Sequence, residues 1–334
     1  CRKGFIANIR IYDWEDKVIL RHEDTIPHSV DDRKTILAKT QLNVSPTHGL
    51  YTDEYNEIED FLDQAIAAPV YDAENYQGVR DVLGVIHDYN VIQLIMKMMK
   101  QKQVILADGH HRYQGALAYL KEQKQKTDFD LNDPMNYQMM YLTNTESDDL
   151  RIFPTHRLIR DIENFNPVEF MMGLEEYFHI QKFEQENDLT EVMTGKKWAF
   201  GLLIGEDQYL IRLKQQKFFE LNWEIPEELK GLDLTVMHYF IIEKLLKIKK
   251  LDQPSSKNIS FERSIASCLK KVWIGKAQMA ILTQEIPMAS VKKVCFSGST
   301  LPQKSTYFYP KAICGYLFGS IKKEENNAKI DRSF

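Results

Sequence analysis

Residues Val104 to Leu120 read VILADGHHRYQGALAYL, and this stretch decides the fold class. Val104 to Ala107 is a short apolar run of the kind that forms a buried strand, and Asp108-Gly109 is a turn. Behind it, Tyr113, Ala116, Leu117 and Leu120 recur at the spacing of one helix face. A strand handed to a helix through a tight turn predicts a mixed α/β protein. His110, His111 and Arg112 then open the helix. There the first backbone N–H groups have no internal partner and the dipole turns its positive end outward. Arg112 adds a cation to that anion seat. A metal shared by His110 and His111 is disfavoured, because neighbouring side chains on a helix diverge by about 100°.

Outward from this segment, strand-like runs fall at Gly4–Tyr12, Val18–Arg21, Val82–Ile86 and Met139–Leu142, with a polar turn over 22–32. Helical patterns run from Arg33 toward Gln41, over Tyr55–Ala67 and over Val91–Gln101. The last carries a stripe of Val91, Leu94, Ile95, Met98 and Met99. Asp148-Asp149 marks a loop. Beyond it the pattern becomes a smaller α+β unit: a helix at Glu169–Phe178, strands Trp198–Ile204 and Gln208–Leu213 around a Gly205-Glu206-Asp207 turn, and a long amphipathic helix at Leu234–Lys247. A strand at Met279–Thr283 and a helix at Met288–Val294 follow. The expected division is 1–160 for the first lobe, 161–321 for a C-terminal α+β lobe and 322–334 for a flexible tail.

Composition narrows the function. A formal charge of −5 argues against a broad nucleic-acid-binding face, and no helix-turn-helix with a basic recognition helix is evident, which argues against DNA. No apolar run reaches the length that spans a bilayer, so no membrane partner is expected. Four scattered cysteines form no C-x-x-C pair, so a reducing cytoplasm is the expected compartment and no metal site is expected. The strand pattern begins almost at Cys1, which reads as a chain lacking an N-terminal segment. Oligomeric state is left open.

Three further clusters carry candidate chemistry. In His22-Glu23-Asp24-Thr25 a carboxylate beside a histidine follows a strand, suiting Glu23 to general-base work. The structural alternative is a solvated acidic turn. Thr155-His156-Arg157 sets a His-Arg pair after an apolar run. It reads equally as a helix cap by Thr155 with exposed basic side chains. Leu301–Lys311 puts Lys304, Ser305 and Thr306 in one loop ahead of aromatic residues, offering a cation and hydroxyls to a phosphate without the glycines of a P-loop. An aromatic core strand accounts for Tyr307–Tyr309 as well.

Together, Arg21–Pro27 with Asp32-Arg33, Ala107–Tyr113, Phe153–Arg157 and Leu301–Lys311 resemble the bacterial and archaeal family called domain of unknown function 1015. Asp108–Arg112 is also similar to the nucleotide-binding motif of the ParB and sulfiredoxin superfamily, whose members include the free L-serine kinases. The resemblance implies a ParB/sulfiredoxin-like nucleotide-binding lobe followed by a C-terminal α+β lobe. It further implies ATP or ADP with magnesium, and a kinase acting on a small hydroxyl substrate such as serine. His22-Glu23 matches the kinases' histidine-glutamate pair, which makes Glu23 the implied base. Asp108, Gly109, His110, His111 and Arg112 become the phosphate site, with His111 also acting on the phosphoryl group, Lys304, Ser305 and Thr306 completing it, and His22, His156 and Arg157 lining the pocket. The other reading is a non-catalytic nucleotide- or metabolite-binding regulator.

Overall fold

The computed structural model describes residues 1–74, 78–126, 130–147, 149–183, 189–302, 304–312 and 314–325. Asp148 of the expected loop, Gln303 of the Leu301–Lys311 segment and residues 326–334 of the expected tail lie outside them. The chain is a mixed α/β protein with two compact units, Cys1–Arg151 with Phe308–Phe334, and Ile152–Tyr307.

The first unit is built on β1 (Phe5–Arg10), β2 (Ile19–Arg21), β3 (Leu42–Asn43), β4 (Thr47–Tyr51), β5 (Tyr71–Glu74), β6 (Arg80–Leu83), β7 (Val104–Asp108) and β8 (Tyr137–Asn144). Five of these form one mixed sheet in the order β1-β8-β4-β7-β2. β7 runs parallel to β2 and antiparallel to β4, while β4 is parallel to β8. The interior position of β7, paired on both edges, accounts for its buried apolar run Val104–Ala107. Val104 and Leu106, with Met140 and Leu142 of β8, join one core with residues of α1 (Pro27–Thr40), α2 (Glu59–Ile66), α3 (Tyr89–Met99) and α4 (His110–Lys124). Alternation turns Tyr141 and Thr143 to the opposite face of β8, where His48 lies beside Tyr141.

Several boundaries differ from the periodicity. α1 starts at Pro27, inside the expected polar turn. Proline at the first helical position supplies a helix-ready φ and has no N–H to lose, which an apolar count does not register. Leu94 of the expected α3 stripe is exposed. The buried face is Ile95 and Met98, with Val91 and Met99 packed against the core. The strand expected at Val82–Ile86 is β6, paired with β5 as a separate hairpin.

The second unit opens with β9 (Arg151–Phe153) at its boundary. Its sheet contains β10 (His156–Ile159), β11 (Phe178–Phe183), β12 (Ala199–Ile204), β13 (Asp207–Leu213), β14 (Ile259–Glu262) and β15 (Met279–Leu282). They pair antiparallel throughout in the order β11-β13-β12-β15-β10-β14. Two separate apolar clusters use its strands. One is rich in aromatics, including Phe178, Phe200 and Phe240, and the other contains Leu158, Leu203, Leu210 and Cys268. The helix expected at Leu234–Lys247 is one α-turn followed by a wide i→i+5 helix over Met237–Leu245, buried on all sides from Leu234 to Ile242. It is therefore not amphipathic. The expected cut at 160 also shifts. The first unit ends at Arg151, and the chain from Phe308 returns to it. Phe308 packs on His22 and His48, Gly319-Ser320 pairs with β3, and Ile321 enters the first unit's core. In the described part of the expected tail, Lys323 pairs with Asp133 at 2.7 Å. Among the described residues no helix is long and apolar enough to cross a membrane.

Candidate functional site

The sheet of the first unit assembles the site from strand ends. Asp108 closes β7 and Gly109 turns the chain into α4 with φ of +88°. A Cβ on Gly109 would stand 2.9 Å from Thr47 Cγ2 and 3.0 Å from Arg112 Nη2, so glycine serves both the turn and the close approach of the guanidinium. Arg112 donates from Nη2 to Asp108 Oδ2 at 2.9 Å, and from Nη1 to Ser45 Oγ and Pro46 O at 2.6 Å each. The second carboxylate oxygen, Oδ1, accepts from Lys311 Nζ at 2.5 Å. Burial works to raise the Asp108 carboxyl, but Lys311 and Arg112 outweigh it and hold it below its ordinary value.

Three imidazoles surround this carboxylate. His22 follows β2, whose parallel pairing sets Arg21 against Leu106. Its Nδ1 lies 2.7 Å from Leu106 O. A carbonyl only accepts, so Nδ1 carries the proton and Nε2 the lone pair. His110, on the first turn of α4, has its ring centroid 4.6 Å from that of His22. His48 lies in register with Asp108 on β4, its Nε2 2.8 Å from Thr143 Oγ1. Phe308 stands edge-on to the rings of His22 and His48. Burial lowers all three imidazole pKa values, that of His48 to about 3, so they are neutral at pH 7. His110 is 7 % exposed, and its Nε2 has no hydrogen-bond partner among the described residues.

Glu23 is the next residue after His22, with its side chain 16 % exposed and Oε1 3.8 Å from His22 Nε2. His111 opens α4 beside His110. Its Nε2 accepts the backbone N–H of Ile26 at 3.0 Å, tying the approach to α1 onto the start of α4.

The structure gathers His22, Glu23, Asp108, Gly109, His110, His111 and Arg112 in the first unit and assigns the remaining candidates to the second. His156 and Arg157 are neither capped by Thr155 nor exposed. They lie on β10, which is flanked on both edges by β14 and β15. His156 Nδ1 accepts the N–H of Thr283 at 3.2 Å, and burial brings its pKa to about 4. Arg157 is fully buried, donates to Thr155 O and lies over the Phe261 ring. Lys304 is exposed with φ of +59°, and the buried Ser305 donates to Pro302 O within its own loop; Thr306 is half-buried. The lysine of this segment that meets Asp108 is Lys311. Sequence reasoning missed it, together with His48 and Phe308. Lys311 stood in the quoted segment, but its separation from Asp108 hid the contact. His48 sits in a five-residue strand, Thr47–Tyr51, that no apolar run marks in the sequence.

This arrangement can hold an anion against the first turn of α4, beside two cations, with neutral imidazoles excluding water. A resident metal does not fit it. Among the described residues no group of three or more His, Cys, Asp or Glu could hold one, and Asp108 is already engaged by Lys311 and Arg112.

A family model described as "Protein of unknown function (DUF1015)" matches residues 1–235. No curated protein matches the chain. Among solved structures the chain is similar to a free serine kinase in complex with AMP, at 12% identity over 97% of this chain and 93% of that one, with a TM-score of 0.46. It is similar to a conserved hypothetical protein from Pyrococcus furiosus at 12% identity over 96% of each chain, with a TM-score of 0.44. SbnI with C-terminal truncation from Staphylococcus aureus gives 13% identity over 92% of this chain and 84% of that one, with a TM-score of 0.42.

Proposed function

The chain belongs to the DUF1015 family, and we propose that it binds a nucleotide through its phosphates and transfers a phosphoryl group to the hydroxyl of a small molecule. In this reading the first unit is a ParB/sulfiredoxin-like nucleotide-binding lobe. The observation that carries it is the start of α4, where Arg112 and Lys311 meet on Asp108, Gly109 makes a left-handed turn and the buried His110 opens the helix. First-turn N–H groups and fixed cations favour phosphate, and they act most strongly where water is excluded.

The nucleotide, ATP or ADP, is a substrate and brings magnesium with it on its own phosphates. Glu23 accepts the proton of the acceptor hydroxyl as the new oxygen–phosphorus bond forms, and the bond to the nucleotide's leaving oxygen breaks. Arg112 and Lys311 face the charge that develops on the transferring group. His22, fixed by Leu106 O, keeps the glutamate's surroundings neutral and dry. Little covalent chemistry is asked of the protein, so positioning and charge supply the rate. Four free cysteines support a reducing compartment such as the cytoplasm.

The test is titration calorimetry of the full chain with ADP and ATP, followed by phosphorus NMR of product with serine and other small hydroxyl compounds. The expected result is micromolar binding and turnover, with Glu23→Gln retaining the nucleotide and losing turnover at least about a hundredfold. Binding that persists without turnover on any acceptor would make the protein a nucleotide-binding regulator. The absence of ADP and ATP binding removes both readings.

A further inference from the structure

The segment from Phe308 onward does more than complete the fold of the first unit. It brings the Lys311 ammonium to Asp108 and is anchored on both sides while doing so. On one side Phe308, 1 % exposed, is packed on His22 and His48. On the other, Gly319-Ser320 pairs with Leu42-Asn43 and Ile321 lies in the core. Lys311 between them reaches Asp108 at 2.5 Å while its side chain stays 37 % exposed. The carboxylate is thus shared by two cations of different character. Arg112 is pinned by Ser45 and Pro46 as well as by Asp108, and its side chain is 23 % exposed. Lys311 ends in a compact charge on a flexible stem.

We propose that Lys311 is the cation that engages the terminal phosphate of a nucleoside diphosphate or triphosphate, with Asp108 holding it in place until the nucleotide arrives. This rests on the nucleotide reading above. Asp108 immediately precedes Gly109 and the first turn of α4, so an ammonium on Oδ1 lies beside the amides that would take the first phosphate. An ammonium has three N–H donors and can bridge a carboxylate and a phosphate oxygen. Arg112 and Lys311 both pair with Asp108, and the neighbouring His22, His48 and His110 are neutral. The pinned Arg112 and the α4 amides serve the phosphate common to all nucleotides, and Lys311 reads whether a further one is present.

The experiment compares ADP and AMP binding by calorimetry for the wild-type chain, Lys311→Met and Lys311→Gln, with circular dichroism melting to establish that each variant folds. The glutamine variant keeps a donor toward Asp108 and serves if the methionine variant does not fold. The expected result is a wild-type preference for ADP over AMP of about tenfold or more. The variants should reduce that preference below about threefold while leaving AMP affinity within about threefold of wild type. A folded variant that keeps the wild-type preference, or loses AMP and ADP by the same factor, overturns the assignment of Lys311. So does a wild-type chain that binds both nucleotides equally. Binding of neither nucleotide by wild type is a different failure, that of the nucleotide reading itself, and the assignment falls with it.

Discussion

The rings of His22 and His110 stand edge to face, 4.6 Å between centroids and 79° between planes, in a site where burial disfavours a second proton on either ring at neutral pH. Burial is the main cause, and each would repel the other if both were charged.

That relationship makes the fold sensitive to mild acid. An unfolded imidazole titrates near 6.5, whereas His48 and His238 in the fold are held at about 3 and His156 at about 4. Between pH 6.5 and those values the unfolded chain binds more protons, so stability rises with pH there and is lost as pH falls through 6.5. Each such histidine contributes a slope of up to about 1.4 kcal/mol per pH unit. Carboxylates held low in the fold, such as Glu262 at about 2, add their own loss only nearer pH 4.5. The window from 6.5 to 5 therefore belongs to histidine. Urea midpoints should fall clearly from pH 7 to pH 5.5, and equal midpoints at the two pH values would refute the account.

Gly109 is the most demanding position of the site. Alanine there would need a left-handed backbone, at about 1–2 kcal/mol, and would press its Cβ against Thr47 and the Arg112 guanidinium. Gly109→Ala is expected to lose about 2–4 kcal/mol in urea unfolding and to weaken nucleotide binding, because the guanidinium must shift. A variant within 0.5 kcal/mol of wild type, a margin about that of an ordinary surface change, would show that the turn adapts.

Local physics made part of this legible in sequence. The segment Val104–Leu120 announces its strand, turn and helix because a central strand is apolar on both faces and a packed helix shows its period. The hairpin of β12 and β13 was equally readable from its turn. What escaped was set by long-range pairing. Asp108 meets Lys311 across 203 positions, and His48 faces Thr143 through the parallel pairing of β4 with β8. Nothing local to either residue records such a contact. His156 and Arg157 misled for a related reason, since a basic pair looks solvated until its strand is known to lie inside a sheet.

Arg112 is a structural fork as well as a candidate phosphate ligand. One guanidinium serves Ser45 Oγ, Pro46 O and Asp108 Oδ2, acceptors on two different segments. Lysine keeps the charge and cannot reproduce that fork. Arg112→Lys should cost about 1–3 kcal/mol and speed amide hydrogen exchange in Thr47 and its neighbours. Unchanged exchange there would mean that the loop before β4 holds its position without the arginine.

The last prediction concerns the crossing of α1 and α4, which fixes the helix that carries the site. Gly115 lies in the middle of α4, where alanine would ordinarily stabilise a helix by about 1 kcal/mol. Here the added Cβ would stand 2.9 Å from Lys34 N, 3.1 Å from Arg33 Cβ and 3.2 Å from Val30 O. Two of these three are backbone atoms of α1, so the helices must separate rather than a side chain rotate. Overpacking of this kind costs about 1–3 kcal/mol, which outweighs the gain in propensity. Gly115→Ala should therefore lower stability, and Gly115→Val should lower it further while loosening the start of α4 against His111 and Ile26. If the alanine variant unfolds at a higher urea concentration than wild type, helix propensity has won and the crossing is not the constraint it appears from these distances.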